Sequence, residues 1–197
     1  MKLISIIIIF ILSGCTTVKL SITEYKIVVD SPNIKSNVDG CRDKSLKIAQ
    51  AFSSNSLMSL KMDYAQDKSK IFSYSQAHWS ESPNHSITMN LLKEIRDSGF
   101  FKNVQISKSI SRNNWILEIN IEDFLQYYSE DLKKSFAKVA INLTLIDSKN
   151  NTIIATKTFV SKVDVKTLNA DGGVEALSSA FSNILTQNLE WLNEVCK

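Results

Sequence analysis

Two stretches in the second half of the chain alternate so regularly that they leave little choice of backbone. Trp115, Leu117, Ile119 and Ile121 take turns with Ile116, Glu118, Asn120 and Glu122. Successive side chains of a strand point to opposite faces, so a period of two describes an extended segment with a core face and a wetter face. Ala137, Val139, Ile141, Leu143 and Leu145 repeat the pattern against Lys138, Asn142 and Thr144. Asp147 to Asn151 is a run of turn formers, and Thr152 to Val163 returns as a strand, which predicts a hairpin with a five-residue connection. Between the first two strands, Gln126 to Lys134 is polar and charged, with Tyr127 and Tyr128 at its start, and reads as a long hairpin end or projecting loop.

Helical spacing occurs twice. Ser82 is placed as N-cap with Pro83 at the first helical position, where its missing N–H costs nothing. Ile87, Leu91, Leu92 and Ile95 follow on one face, and Gly99 sits where a left-handed residue stops a helix, with Phe100 and Phe101 behind it. Asp171-Gly172-Gly173 leads into Val174, Leu177, Phe181, Ile184, Leu185, Leu189 and Leu192, again on one face. Earlier in the chain, Tyr25 to Val29, Ser45 to Phe52 and Lys70 to Ser75 read as strands, while Leu57 to Met62 fits either a strand or a helical turn. The expected fold class is α+β: a mostly antiparallel sheet of about six or seven strands with two helices packed on one face.

The first residues say where such a domain would reside. Lys2 precedes an apolar run from Leu3 to Leu12 that ends in Ser13-Gly14-Cys15. A short basic region, about ten apolar residues and small residues before a cut site describe a secretory signal peptide. The run is too short to cross a bilayer, which takes roughly 20 apolar residues. Leu12-Ser13-Gly14-Cys15 resembles the bacterial lipobox, in which the cysteine thiol is diacylated, with chains such as palmitate, and becomes the new N-terminus. The chain therefore divides into a signal peptide over 1–14, a tether over 15–23 and a single α+β domain over 24–197. Removing 14 of the 197 residues leaves 183, enough for one domain with a sizeable core.

Assigning Cys15 to lipid leaves Cys41 and Cys196, an even remainder in a chain expected to reach an oxidising compartment, so the two are expected to form a disulfide. The alternative is a pair of free thiols. The formal charge of +3 falls to +2 without Lys2, and Lys133-Lys134 is the only adjacent basic pair, which argues against a nucleic-acid partner.

No catalytic residue is nominated. Only His78 and His85 supply imidazole, and there is no Gly-x-Ser-x-Gly elbow. Their separation of seven fits neither a helical metal pair nor a familiar zinc spacing, so no metal and no cofactor is expected beyond the covalent lipid on Cys15. Gly172-Gly173 lacks the Lys-Ser/Thr of a phosphate cradle and reads as a tight turn into the last helix. Among the aromatics, Trp79 and Tyr127-Tyr128 lie in segments that read as loops, and with Tyr74 they are the candidate partner-binding residues. For Trp79 the alternative is that it covers the start of the helix.

Several stretches, in order, resemble the ABC-type transport auxiliary lipoprotein family, the PqiC-like proteins associated with Mce-type lipid transport. They are the lipobox, the strand Tyr25 to Val29, the Tyr-Ser-x-x-x-Trp-x-x-x-Pro pattern from Tyr74 to Pro83, and Ser98-Gly99-Phe100-Phe101 leading to Val104. Leu117 to Phe124, Ala155 to Phe159, the Gly-Gly-Val-x-Ala-Leu run from Gly172 to Leu177, and Trp191 complete the set. Cys41 to Ile48 departs from the family's pattern near the second strand. The resemblance implies a non-enzymatic, periplasm-facing component on the outer membrane. It would serve an inner-membrane ABC permease and ATPase that work with Mce-domain proteins. Thr16, which is not the aspartate that favours inner-membrane retention, agrees with the outer membrane. A homo-oligomer is compatible with this, since a symmetric ring would suit a tube-shaped partner. The alternatives are a structural or assembly envelope lipoprotein with a TolB N-terminal-like domain, and a lipid-anchored hydrolase for which His78 would be the residue to test.

Overall fold

The computed structural model describes residues 21–197 other than 33 and 68; the lipobox, Cys15 and most of the tether lie outside the described residues. In chain order the strands begin with β1 (Thr23–Tyr25), β2 (Ser45–Ile48), β3 (Lys61–Gln66) and β4 (Lys70–Trp79). Helix α1 (Pro83–Ser98) follows, then β5 (Asn103–Ile106), β6 (Trp115–Tyr128), β7 (Ser135–Asp147), β8 (Thr152–Asp164) and helix α2 (Ala170–Val195).

Strand β6 is the axis of the sheet. One of its edges pairs antiparallel with β7 over its full length, and β7 pairs antiparallel with β8. The other edge is shared. β2 runs parallel to it at Trp115–Leu117, Phe52 bridges to Asn120, and β3 runs parallel at Gln126–Tyr128. Residues 45–66 thus lie along β6 as one interrupted strand, with the 3₁₀ turn Asn55–Met58 in the interruption. β5 adds outside β2, β4 outside β3, and β1 outside β4.

The α+β class holds, but the expected sheet is corrected: among the described residues it has eight strands and is mixed, with four parallel pairings and three antiparallel ones. Parallel partners need a crossover rather than a tight turn, and α1 lies in the long connection that brings the chain from β2 to its parallel partner β5. Nothing in a strand's own alternation states which way its neighbour runs.

Both helices pack on one face. α1 buries Ile87, Leu91 and Ile95, and α2 buries Leu177, Phe181, Ile184, Leu185, Leu189 and Leu192. Opposite them lie Leu117, Ile119, Ile141, Leu143, Leu145 and Phe159 of the three long strands. Burying each such side chain contributes about 1.5–3 kcal/mol. The far face is mixed, with Glu118 and Asn120 exposed, Asn142 bonded to Thr158 across the strands, and Val160 exposed beside them.

The helix ends match their residues. Pro83 occupies the first turn of α1, and Gly99 closes it with φ 77°, a left-handed conformation that glycine adopts freely. Ser82 sits at the N-cap position, yet its side chain makes no capping bond. α2 is capped by Asn169, whose Oδ1 accepts the Gly172 N–H at 3.0 Å. At the other end of α2, Cys196 is joined to Cys41 with sulfurs 1.99 Å and Cα atoms 5.2 Å apart. Neighbouring Gly40 allows this approach, because a Cβ there would overlap the Cys196 carbonyl.

Three element expectations are corrected, the first being the strand predicted over Tyr25 to Val29, which is instead Thr23–Tyr25 with 26–29 outside any strand. The strand predicted over Ser45 to Phe52 ends at Ile48; beyond it Ala51 is buried and Phe52 is 74% exposed, so the alternation slips by one. The loop predicted over Gln126 to Lys134 begins only at Ser129, because β6 continues through Tyr128. A register shift between Ile121 and Asp123 marks a bulge, after which Phe124, Gln126 and Tyr128 take the buried face.

Candidate functional site

Three connections meet at one end of the sheet: the β3–β4 turn, the β6–β7 turn and the β8–α2 loop. Gln66 Nε2 donates to the Glu130 carbonyl at 3.0 Å, and the Val165 N–H donates to the Ser135 carbonyl at 2.9 Å. Beneath them a cleft of about 430 Å³ opens, lined among others by Asp67, Tyr127, Lys134, Phe136, Lys162 and Asp164.

Pairing of Tyr127 with Phe136 across β6 and β7 stacks their rings, with centroids 5.2 Å apart and planes 11° from parallel. Lys162, on β8, places Nζ 3.6 Å from the centre of the Phe136 ring, a cation–π contact. The Tyr127 hydroxyl donates to the Asp123 carboxylate at 2.9 Å, and Lys138 Nζ lies 2.9 Å from the same carboxylate. Partial burial and then the bond to Asp123 push the Tyr127 phenol well above its ordinary range. The bulge at Asp123 is what turns this carboxylate toward the face that carries Tyr127 and Lys138.

On the helix face of the same end lies a second aromatic group. Tyr64 is 4.6 Å from Tyr74, 5.3 Å from Tyr128 and 5.6 Å from Phe72 between ring centres. The Tyr74 and Tyr128 hydroxyls are 2.8 Å apart, and Tyr74 also lies 2.9 Å from Gln126 Oε1. A phenol has one proton, and Gln126 Oε1 is an acceptor, so Tyr74 donates to Gln126 and Tyr128 donates to Tyr74. Gln126 Nε2 completes the chain by donating to Ser135 Oγ at 3.0 Å. Burial, followed by the Tyr128 hydroxyl, holds the Tyr74 phenol protonated far above its usual range. The start of α2 closes over this network through Gly173, where a Cβ would overlap the Gln126 amide.

The nominated residues therefore separate. Tyr74 and Tyr128 meet in the hydroxyl network, and Tyr127 lines the cleft on the other face. Trp79 is corrected as an exposed loop contact: it ends β4, is 4% exposed and packs 5.9 Å from Phe124. Cys41 and Cys196 lie at the opposite end, away from both groups. The sequence reasoning passed over Phe136 and Lys162 because each looks like an ordinary strand residue; their alternation on the non-helix face is the signal that groups them.

Among the described residues a nucleophile–base arrangement is not found around the cleft, whose ionisable groups are lysines, carboxylates, Tyr127 and Tyr128. His78 lies on β4, and His85 lies in α1, where its Nε2 is 3.6 Å from Glu81. Among the described residues no three His, Cys, Asp or Glu side chains gather as a metal site, and no helix is long and apolar enough to cross a membrane.

A family model described as the ABC-type transport auxiliary lipoprotein component matches residues 44–187. The chain belongs to that family. Among solved structures, the chain is similar to protein XCC0632 from Xanthomonas campestris, at 17% identity and TM-score 0.75, covering 88% of this chain and 96% of that one. It is also similar to a structure described as an uncharacterized protein, at 10% identity and TM-score 0.67, covering 87% and 98%. At these identities the likeness is one of fold. A comparison with curated proteins finds no significant match. The family's span begins next to β2 and takes in β3 to β8, so it includes the cleft, the hydroxyl network and most of α2.

Proposed function

We propose that this protein is a non-enzymatic, lipid-anchored accessory component of an Mce-type ABC system that moves lipid across the cell envelope. It would be tethered through Cys15 to the periplasmic face of the outer membrane. The observation that carries the reading is the family match, which spans nearly the whole folded domain. The cleft lies within the span that the family model matches, and Tyr127, Phe136 and Lys162 give it a surface for a partner contact.

The test is crosslinking in intact cells followed by identification of the captured proteins. Recovery of an Mce-domain protein or its ABC permease is the expected result. Recovery of outer-membrane assembly or cell-wall proteins alone would replace this reading with a structural one. Cys15→Ala checks the anchor: a folded, unacylated chain that still supports the pathway at full strength would refute the tethered role.

A further inference from the structure

The end of the sheet that carries the cleft also carries an unexplained apolar surface. Leu132 lies at the apex of the β6–β7 turn and is 49% exposed. Its φ is 57°, a left-handed conformation that side-chain-bearing L-residues avoid. The turn holds it there. Ser129 N–H donates to the Lys134 carbonyl at 2.9 Å, Leu132 N–H to the Ser129 carbonyl at 3.0 Å, and Lys133 N–H to Asp131 Oδ1 at 3.2 Å. A turn of serine, acid and lysine gains nothing for the fold by presenting a leucine to water.

Beside it, Leu168 of the β8–α2 loop is 45% exposed, and Ile71 and Phe72 at the start of β4 are 58% and 42% exposed. The hydrogen bonds joining the three connections hold these residues at one end of the sheet. Its charges largely offset one another, Lys166 with Glu175 at 2.6 Å and Lys133 with Asp131 at 4.0 Å.

The direction of the chain says what covers this surface. β1 runs parallel to β4 with Thr23 opposite Ala77, so the chain enters β1 heading away from the Lys70 end of β4. From Ala77 back to Lys70 is seven residues, about 23 Å at 3.3 Å each. From Thr23 back to Cys15 is eight residues, a reach of at most about 27 Å. A lipid on Cys15 can therefore reach this end of the sheet.

We propose that the β3–β4, β6–β7 and β8–α2 connections form the membrane-seating end of the domain. Leu132, Leu168, Ile71 and Phe72 rest in the headgroup layer, and the cleft opens beside the bilayer surface. The inference rests on the reading of Cys15 as the lipid anchor, and its occupant is a lipid surface. Because the seat is apolar and nearly charge-balanced, its engagement depends little on salt.

The experiment uses the full mature chain reconstituted in vesicles of phosphatidylethanolamine and phosphatidylglycerol. A fluorescent amino acid is placed at Leu132, at Leu168, or at Asn150 in the turn at the other end, and spin-labelled lipid is the quencher. Quenching at 132 and 168 at least about threefold stronger than at 150, unchanged in high salt, is expected for residues that sit in the interface. Equal quenching at the three positions, or stronger quenching at 150, overturns the seating. Protection of position 132 that grows with protein concentration in lipid-free buffer gives the surface to a second copy and also overturns it. Intact mass of the same sample reads the anchor separately. An acylated chain without selective quenching loses the seating and keeps the anchor, whereas a chain without acyl mass loses the anchor and the inference that rests on it.

Discussion

The bridge between Cys41 and Cys196 gives the sharpest quantitative test of how this domain is held. The two cysteines are 155 positions apart, so the bond closes a loop that includes most of the folded chain. In the chain-entropy account, a loop of that length restricts the unfolded ensemble by about 5 kcal/mol at 25 °C. A domain is commonly stable by only about 5–15 kcal/mol, so the unbridged form is expected to be marginal. Cys41→Ala, Cys196→Ala and the double variant remove the same bond. Their losses should therefore agree within about 0.5 kcal/mol rather than add. Both cysteines are buried, at 1% and 2% exposure, so each alanine also loses a little packing. Reduction of the unmodified chain with its sulfurs still in place separates that contribution.

The assay is equilibrium urea unfolding followed by tryptophan fluorescence, since Trp79 and Trp191 are buried. The steepness of the transition should rise when the cross-link is absent, because a freed chain exposes more surface on unfolding. Titration of the native, unreduced protein with a thiol reagent should consume no equivalents from these two residues. A stability change under about 1 kcal/mol on reduction would refute the loop-entropy reasoning. Two reactive thiols in the unreduced protein would refute the bridge itself.

Other consequences are as direct. Trp79→Ala should cost about 3–5 kcal/mol and lower the melting temperature, as for any large aromatic removed from a core; an unchanged melting temperature would restore Trp79 to the surface. Gly173→Ala forces a methyl against Gln126 and should destabilise by about 1–3 kcal/mol, with much of the loss recovered in a Gln126→Ala background. Asn188 is fully buried with neither amide atom hydrogen-bonded among the described residues, so Asn188→Leu should raise the urea midpoint by about 1–2 kcal/mol equivalent. Tyr74 and Tyr127 have folded-state values raised above the ordinary tyrosine value of 10.0. The stabilisation from their neutral forms is present below that value and is lost as pH rises beyond it, because unfolding then releases their protons. Absorbance at 295 nm at pH about 11 should show both still protonated in the folded protein, while all five tyrosines ionise once it is unfolded.

The parts of the fold that were legible are those whose signals are local. Trp115 to Ile121 and Ala137 to Leu145 announced their strands because one face is dry and the other wet. Pro83 and Gly99 bounded α1 through backbone properties that each carries alone. Legibility failed where a neighbour decides the outcome. The bulge at Asp123 shifts the buried parity of β6 and puts the polar Gln126 in the interior, where it answers Tyr74, Ser135 and Gly173 rather than water. Trp79 follows Ser75, Gln76 and His78, a polar run that reads as loop until β1 and β3 are seen to flank it. The parallel placement of β2 and β3 along β6 is invisible in either segment, because their partner lies more than sixty residues downstream. The cleft suffers the same way, since Tyr127, Phe136 and Lys162 come from three different strands and meet only through register.

The shared edge of β6 also sets an order of assembly. β6, β7 and β8 are sequential hairpin partners, so they can close with short loops as soon as they are available. β2 and β3 instead wait for a strand that leaves the ribosome after them, and until then β3 has only β4 and β2 only β5 to pair with. A polypeptide made from its N-terminus thus spends the interval before residue 128 with strand edges open to other chains. The segment from Ser45 to Gln66 is the period of greatest risk in the life of this protein, and holding it apart from its own kind until β6 arrives is a task for whatever receives the nascent chain.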